Sequence, residues 1–526
     1  MQLEFGLELL AEAAVVAAFG WQVARIAAKP VFGRMLRERR GAVAAGLALG
    51  LPALALLAWG AHESALLRRT TVASLAVGIA LAAWRARPAY GASVQLPPGS
   101  LGFGRSLDAI DDRGFYQAEA ARHGPVFKTS QFGRPALCIV GLDRGRELLL
   151  QHGQHLEGAT LPYTRLIPKG ALRYMRSDAH RQVSSLFRPS IAATDLAAAE
   201  AAARNVFRGE LLRLADESAA RAGAGVRVSG AIERALFTCL ARILFGLEPG
   251  RPEIEEIRAW IGGIDFSGSG GRSWRRRLEA ALAAVSEILR RAARDASAPI
   301  VPSSSLGRIL AVEPGALEDR TVAGNLILIF RISNVDMTGL IDWIVKMLSD
   351  NPAWPARMRA EGRTAGAPPP RPLDLGTRIV METLRLEQSE YLYRKAAQDF
   401  AFGGYRIPKG WLIRICVQES HRNPEIFEDP TRFDPDRFAV RAFTRSEYAP
   451  LGADAHGCMG TAIIHFLGRI FVEELTLGFD WEVVSDGPLE RGTRHWRHWH
   501  PSARFRVALR RRAGEAHAVV PTPRTA

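Results

Sequence analysis

Residues 451–460, LGADAHGCMG, place Cys458 between two glycines, directly before an apolar run at 461–467 (TAIIHFL). The apolar run predicts the start of a buried helix. Free backbone N–H groups and the helix dipole stabilise a thiolate at a helix N-terminus, so the stretch predicts an acidified thiol, either a nucleophile or a metal ligand. His456 would be the base for a nucleophile. A buried, inert cysteine is the alternative that this stretch leaves open.

The composition is that of a globular protein with an apolar appendage. The chain has 526 residues, 48% of them hydrophobic, with 30 proline and 49 glycine residues. This length is too great for one small domain. The four cysteines are Cys138, Cys239, Cys416 and Cys458. Their wide spacing argues against a disulfide framework or a zinc site and favours a reducing compartment.

The net charge is strongly positive, +15 at pH 7. A basic surface attracts nucleic acid, anionic lipid or an acidic protein. No segment interleaves basic and aromatic residues on one element, so we expect no nucleic-acid partner. Lipid headgroups and an acidic electron donor are the favoured partners, and a merely arginine-rich surface remains the alternative.

The first ninety residues predict a membrane anchor. Residues 42–61 form an uncharged apolar run that is long enough to span a bilayer as a helix, and a shorter run follows at 71–84. Residues 3–28 carry acidic residues on one helical face and predict either an interfacial helix or a third span. Basic residues flank these runs, which places the remainder of the chain on the cytoplasmic side. Buried core helices are the alternative.

The cysteine stretch resembles the heme-binding loop of the cytochrome P450 family. Five residues fall in register with that loop: Gly452, Asp454, His456, Cys458 and Gly460. The stretch departs from the common pattern at three positions, which are Leu451, Asp454 and His456. The resemblance implies that the Cys458 thiolate is the axial ligand of the iron of heme b, and that His456 contacts a heme propionate.

Further residues in the same chain order extend the resemblance. Glu382 and Arg385 lie at i,i+3 spacing, and Arg437 lies in the run FDPDRF at 433–438. In the family, such residues form a buried network that supports the cysteine loop. Without the resemblance, the Glu382–Arg385 spacing would indicate only a solvated helix pair that contributes a few tenths of a kcal/mol.

Two more residues resemble heme-propionate ligands. Arg394 matches a propionate-binding residue, and His180 lies on a predicted helix where the family has a histidine or tryptophan followed four residues later by a basic residue. Here that later residue is Ser184, so half of the expected clamp is missing. A solvated histidine on an exposed helix face is the alternative for His180.

The predicted helix at 320–349 departs from the family at its centre. In the family this helix carries an acid followed by a threonine, which relay protons to bound oxygen. Here the pair falls either on Val335 and Asp336 or on Asp336 and Met337, with Thr338 next. Asp336 and Thr338 are therefore the catalytic candidates, and a lone carboxylate at Asp336 would act through water. Arg331, one turn earlier, would contact a substrate carboxylate or pair with an acid of the protein.

The resemblance implies a mainly α fold with a small β portion, as in cytochrome P450s, and the apolar runs predict that N-terminal transmembrane helices precede it. We assign 1–90 to a membrane anchor with two or three apolar helices and 91–526 to a heme-thiolate catalytic domain. The predicted elements are strands at 124–129 and 135–140, a helix at 143–150, a helix from Asp178 that ends before Pro189, helices between 196 and 294, and the helix at 320–349.

The resemblance spans residues 97–510 and implies a monooxygenase. Such an enzyme would hydroxylate an apolar small molecule with O2 and with electrons from a separate partner, a ferredoxin or a reductase. The broken acid–alcohol pair motivates an alternative: an enzyme that uses peroxide, or that desaturates, couples or rearranges its substrate. An alternative from another class is a membrane-anchored heme-binding sensor or scaffold without turnover.

Overall fold

The computed structural model describes most of the chain beyond residue 94. The described residues are 95–131, 134–158, 167–175, 177–221, 224–262, 271–362, 373–388, 391–452, 456–491 and 498–512, and, nearer the N-terminus, 13–21, 24, 28, 64, 66 and 69–77. They group into two compact units: one within 1–139, 398–413 and 491–497, the other within 140–397, 414–490 and 498–526.

Helices predominate among the described elements beyond residue 94. They are α1 (Phe103–Asp111), α2 (Phe115–His123), α3 (Leu142–His152), α4 (Ser177–Ala192), α5 (Glu200–Ala220), α6 (Ser229–Leu240), α7 (Pro252–Ile261), α8 (Gly271–Arg294), α9 (Ser305–Val312), α10 (Arg320–Asp350), α11 (Ala353–Glu361), α12 (Leu375–Thr383), α13 (Val417–Ser420), α14 (Arg437–Val440) and α15 (Thr461–Gly478). Short 3₁₀ turns occur at Gly153–His155, Leu172–Tyr174 and Ala197–Ala199, and π turns at Ala241–Phe245 and Leu384–Gln388.

The strands are short. They are β1 (Val126–Gln131), β2 (Arg134–Val140), β3 (Leu156–Glu157), β4 (Tyr391–Ala396), β5 (Phe400–Phe402), β6 (Tyr405–Ile407), β7 (Leu412–Cys416), β8 (Phe479–Ser485) and β9 (Arg506–Arg511). The mainly α fold with a small β portion is confirmed, and so are the two strands predicted at 124–129 and 135–140.

The first unit contains α1, α2 and two antiparallel pairs, β1 with β2 and β5 with β6. Glu119 of α2 is buried, which would be costly for a lone carboxylate. Arg105 and Arg122 pair with that carboxylate and compensate its charge.

The second unit is built around α10, which has 31 residues. The Asp319 carboxylate accepts from the Thr321 N–H at 2.6 Å and caps its first turn. The helix packs against α6, α8 and α12. It ends at Asp350, one residue beyond the predicted boundary, before the Asn351–Pro352 break.

Helix α15 packs very closely on α12. A Cβ atom at Gly468 would lie 2.8 Å from Val380 Cγ2, a separation that side chains do not adopt, so this approach requires glycine. The close packing fixes α15, and with it the cysteine loop that precedes α15, against the helix that carries Glu382.

The predicted end of the helix before Pro189 is wrong. Helix α4 continues through Pro189 to Ala192. Proline removes one backbone hydrogen bond, to the carbonyl four residues earlier, which is that of Ser185. Ser185 and Pro189 are both exposed, whereas Ile191 beyond them is buried, so packing of the last turn outweighs the lost bond.

Part of the predicted membrane anchor falls within the described residues. Residues 13–21 and 69–77 are helical, the former largely exposed. Among the described residues, no helix is both long and apolar enough to cross a membrane. The strongest predicted span, 42–61, lies outside the described residues, and the two or three spans stay a prediction.

Candidate functional site

The cysteine loop folds back on itself before α15 begins. The Cys458 N–H donates to the Leu451 carbonyl at 2.8 Å, and the Gly452 N–H donates to the Ala449 carbonyl at 3.1 Å. Gly452 has φ +85°, and a Cβ there would approach the Gly457 Cα within 3.2 Å. Glycine at 452 is therefore required by both conformation and space. Residues 453–455, which include the register position Asp454, lie outside the described residues.

The Cys458 thiol is accessible and yet deep. Its side chain is exposed to solvent, although burial among the surrounding atoms raises the pKa of the thiol. From the two properties together we infer that the sulfur lies in a solvent-open recess. The acidified thiol predicted from the helix N-terminus is wrong for the chain itself, because desolvation outweighs the hydrogen bond from the Gly460 N–H. A metal cation at the sulfur would reverse this balance.

Asp336 lies near this sulfur and points away from the core. Its negative charge is a second cause of the raised pKa of Cys458. Asp336 is exposed on α10, although its neighbours Asn334 and Met337 are buried. The carboxylate therefore faces the open recess rather than the packed side of α10.

Thr338 does not repeat this arrangement. Its Oγ1 donates to the Asn334 carbonyl of the same helix at 2.7 Å. Such back-bonding commits the hydroxyl hydrogen to the helix backbone. Of the two catalytic candidates, Asp336 is the one whose charge reaches Cys458.

The structure brings the two predicted histidines together. The rings of His180 and His456 lie 3.9 Å apart between centroids, inclined by 40°. His180 is buried on α4, so the alternative of a solvated histidine does not hold. Arg394 is half-buried on β4 and donates from Nη1 to the Tyr393 carbonyl at 2.8 Å.

Two arginines that the sequence analysis missed also act on the site. The positive charges of Arg173, in the turn Leu172–Tyr174, and Arg188, on α4, lower the pKa of Cys458 against the effect of burial. Arg188 lies two turns after His180 and one turn after Ser184. Extending the search for a basic residue by one helical turn would have found it.

Asn325 holds the segment that carries Arg173. Its Oδ1 accepts from the Leu172 N–H at 2.6 Å, and its Nδ2 donates to the Gly170 carbonyl at 3.1 Å and to the Thr321 carbonyl at 2.8 Å. This buried amide thus joins residues 170–172 to α10. No periodic or charged pattern in the sequence marks it.

The structure places Glu382, Arg385 and Arg437 in one buried network. Arg385 donates to the Glu382 carboxylate from Nε at 2.7 Å and from Nη2 at 2.8 Å, and both side chains are fully buried. Arg437 Nε donates to the same carboxylate at 3.0 Å. Arg385 Nη1 also donates to the carbonyls of His421 and Pro430, at 2.8 and 2.7 Å. The pair therefore binds backbone that follows β7 as well as its own helix.

Arg331 is occupied by protein groups. It is buried on α10, and its Nη2 donates to the Gly262 carbonyl at 2.9 Å. Its Nη1 donates to Asn334 Oδ1 at 3.3 Å and lies 3.8 Å from Glu233. These contacts agree with the alternative of a residue paired with an acid, and they give no support to a substrate contact.

The residues around the recess fit an iron porphyrin. An accessible sulfur at its floor offers a soft ligand for iron. Beside it lie a histidine pair and two positive charges, groups that suit propionate carboxylates. Asp336 supplies a carboxylate on α10 near the sulfur.

Comparisons with known proteins agree with this site. A family model described as Cytochrome P450 matches residues 341–497. Abscisic acid 8'-hydroxylase 2 of Oryza sativa subsp. japonica is 25% identical over 456 residues, which cover 78% of this chain and 88% of that protein. Abscisic acid 8'-hydroxylase 3 of Oryza sativa subsp. indica is 28% identical over 432 residues, covering 74% and 82%.

Solved structures share the fold. Cyanobacterial CYP120A1 with bound retinoic acid superposes with a TM-score of 0.64 at 21% identity, covering 80% of this chain and 100% of that one. A zebra fish cytochrome P450 with progesterone gives a TM-score of 0.60 at 20% identity, covering 76% and 98%. This chain is similar to cytochrome P450s in all three comparisons. It is a heme enzyme of the monooxygenase type that hydroxylates a small molecule.

The buried network gives a stability prediction. Replacing Glu382 with Leu leaves two buried guanidinium groups without their carboxylate, which we expect to destabilise the fold by about 3–5 kcal/mol. The matched control Glu361→Ala removes a carboxylate that pairs with Arg357 while both are exposed, and should cost about 1 kcal/mol or less. Chemical denaturation followed by circular dichroism measures both, and equal losses would contradict the prediction.

A second prediction concerns acid stability. His421 is fully buried, and burial together with the positive charge of Arg385 lowers its pKa from 6.5 to about 3. The unfolded chain takes up this proton below pH 6.5, whereas the folded protein resists it. His421 therefore favours the folded state fully above pH 6.5, and this contribution is lost as the pH falls toward 3.

The measurement is the midpoint of thermal unfolding between pH 7 and pH 4. We expect His421→Gln, which cannot titrate, to lose less stability over this range than the parent. The control Phe207→Leu changes a buried ring on α5 without removing a titratable group, and should lower the midpoint by a similar amount at each pH. An unchanged pH dependence in His421→Gln would refute the assignment.

Proposed function

We propose that this protein is a membrane-anchored monooxygenase that uses heme b to hydroxylate an apolar small molecule. The observation that supports it best is the solvent-exposed Cys458 side chain, with the Asp336 carboxylate close enough to raise the pKa of its thiol. The curated relatives are named for abscisic acid, and the two solved structures are described with retinoic acid and with progesterone, all of them small molecules.

Each residue has a role that follows from its surroundings. When bound, heme activates oxygen for insertion into a C–H bond. Cys458 supplies the thiolate, and the charges of Arg173 and Arg188 favour loss of the thiol proton. His180 and His456 lie together where they would hold propionates. Asp336 would hold a proton at its carboxylate and pass it through water into the recess.

The proposal includes a partner and a location. Electrons come from a separate ferredoxin or reductase, and the net charge of +15 suits an acidic donor. The apolar run at 42–61 anchors the chain in a membrane, with the catalytic part on the cytoplasmic side. An apolar substrate would then reach the enzyme from the bilayer.

The proposal is tested by the carbon monoxide difference spectrum of the reduced protein. We expect the band of a thiolate-ligated heme in the parent and in the control Cys239→Ala, which alters a buried cysteine of α6. Cys458→Ser should lack this band because the iron loses its sulfur ligand. A Cys458→Ser protein with the parent spectrum would overturn the proposal.

The role of Asp336 is tested by the yield of product per oxygen consumed. Asp336→Asn should lower this yield by about a hundredfold, the lower range for loss of a general acid. Thr338→Val should change it little, because the hydroxyl is bonded to the backbone of α10. Asp350→Asn, at the exposed end of α10, is the matched control, and an Asp336→Asn yield equal to that control would remove the proposed role.

A peroxide-driven reaction is the second candidate. The hydrogen bond from the Thr338 hydroxyl to the Asn334 carbonyl favours it, because this hydroxyl is then not available to relay protons to bound oxygen. The two candidates differ in what they consume. Turnover that requires NAD(P)H, a reductase and oxygen supports the monooxygenase. Full turnover with hydrogen peroxide alone would favour the alternative.

A further inference from the structure

His421 occupies a central place between the buried charge network and the cysteine loop. It directly follows α13 and is fully buried. Its ring stacks on Tyr448 at 5.3 Å between centroids and meets Phe427 edge-on at 6.0 Å. Rings on two sides leave the imidazole little room to turn, so the direction of its nitrogens is fixed.

The ring makes a specific hydrogen bond. The Ala449 N–H donates to His421 Nε2 at 3.2 Å. Because Nε2 accepts, the imidazole is neutral and carries its proton on Nδ1. Nδ1 has no hydrogen-bond partner within the described part of the chain, so accepting from Ala449 is the polar function that the ring performs there.

The backbone of the same residue belongs to the charge network. The His421 carbonyl accepts from Arg385 Nη1 at 2.8 Å, and Arg385 is held by Glu382. His421 is thus bound at its carbonyl by the network, while its ring binds the chain just before the cysteine loop. Ala449 is buried, so its N–H would be costly to leave unpaired.

The contact continues toward the sulfur through short backbone steps. The Ala449 carbonyl accepts from the Gly452 N–H, and the Leu451 carbonyl accepts from the Cys458 N–H. On the other side, Tyr448 Oη donates to the Met381 carbonyl at 2.9 Å, next to Glu382. Residues 448 and 449 therefore connect the loop to the residues around the Glu382–Arg385 pair through two separate contacts.

We propose that His421 is a positioning residue for the cysteine ligand. It transmits the rigid position of the Glu382–Arg385 pair to residue 449, and so fixes where the loop presents the Cys458 sulfur. This inference rests on the proposed role of Cys458 as the heme ligand. It assigns His421 no contact with heme or substrate.

The test compares variants that differ in the acceptor. His421→Gln places an amide oxygen near the position of Nε2, whereas His421→Phe keeps a ring and removes the acceptor. Hydrogen exchange of the Ala449 amide should be about tenfold faster in His421→Phe, since a buried hydrogen bond is lost, and close to the parent in His421→Gln. The asparagine side chain in His421→Asn is too short for its amide oxygen to reach the Ala449 N–H. This variant should therefore show the same faster exchange as His421→Phe, without a phenyl ring at position 421.

The second readout is ligation of the iron. The thiolate fraction in the carbon monoxide difference spectrum should fall severalfold in His421→Phe and His421→Asn, and be retained in His421→Gln. The control Phe207→Leu, which alters a buried ring on α5, should lower the melting temperature while keeping both the thiolate fraction and the slow exchange at Ala449.

Three results would overturn the inference. The first is parent-like exchange and ligation in His421→Phe or His421→Asn. The second is a His421→Gln protein that loses as much as those variants, and the third is an equal loss in Phe207→Leu. If the parent itself lacks the thiolate band, the proposed function fails. Exchange at Ala449 and across the cysteine loop then decides separately whether His421 positions the loop.

Discussion

The burial of the Glu382 carboxylate constrains the second unit. A fully buried carboxylate is tolerated when its charge is compensated and its oxygens are hydrogen-bonded. Arg385, Arg437 and the Asp434 N–H, the last at 2.9 Å, all donate to this one group. Because Asp434 and Arg437 lie 52 and 55 residues beyond Glu382 in the sequence, satisfying the charge also holds residues 421–437 against α12. The cysteine loop follows this segment in the chain, so the position of the segment constrains the position of the loop.

Short-range pattern was sufficient for part of this arrangement. The i,i+3 spacing of Glu382 and Arg385 and the Cys458 loop are local features, and the sequence analysis selected them through their resemblance to a known family. The strands at 124–129 and 135–140 and the helix at 320–349 also follow from local periodicity. The mainly α fold could therefore be predicted before any tertiary contact was known.

Other features depend on tertiary contacts that no local pattern encodes. The thiol pKa followed burial and the charge of Asp336 rather than the helix N-terminus. Helix α4 continues beyond Pro189 because Ile191 in its last turn is buried. Arg331 donates to the Gly262 carbonyl, which lies 69 residues earlier in the sequence. It also donates to Asn334 of its own helix, a residue that no sequence pattern singles out. Asn325 and His421 form hydrogen bonds whose partners lie 153 and 28 residues away.

The centre of α10 departs from the cytochrome P450 pattern that other parts of this chain resemble. The family model matches from residue 341, beyond Asp336 and Thr338. The structure shows how the departure is arranged: the threonine hydroxyl is bonded within the helix, and one carboxylate faces the recess. The Asp336 carboxylate, which is suited to proton delivery, raises the pKa of the Cys458 thiol. Its negative charge therefore opposes formation of the thiolate ligand. Arg173 and Arg188 act in the opposite direction on the same thiol. The site therefore balances two requirements, and iron bound by a correctly positioned sulfur would settle the balance in favour of the thiolate.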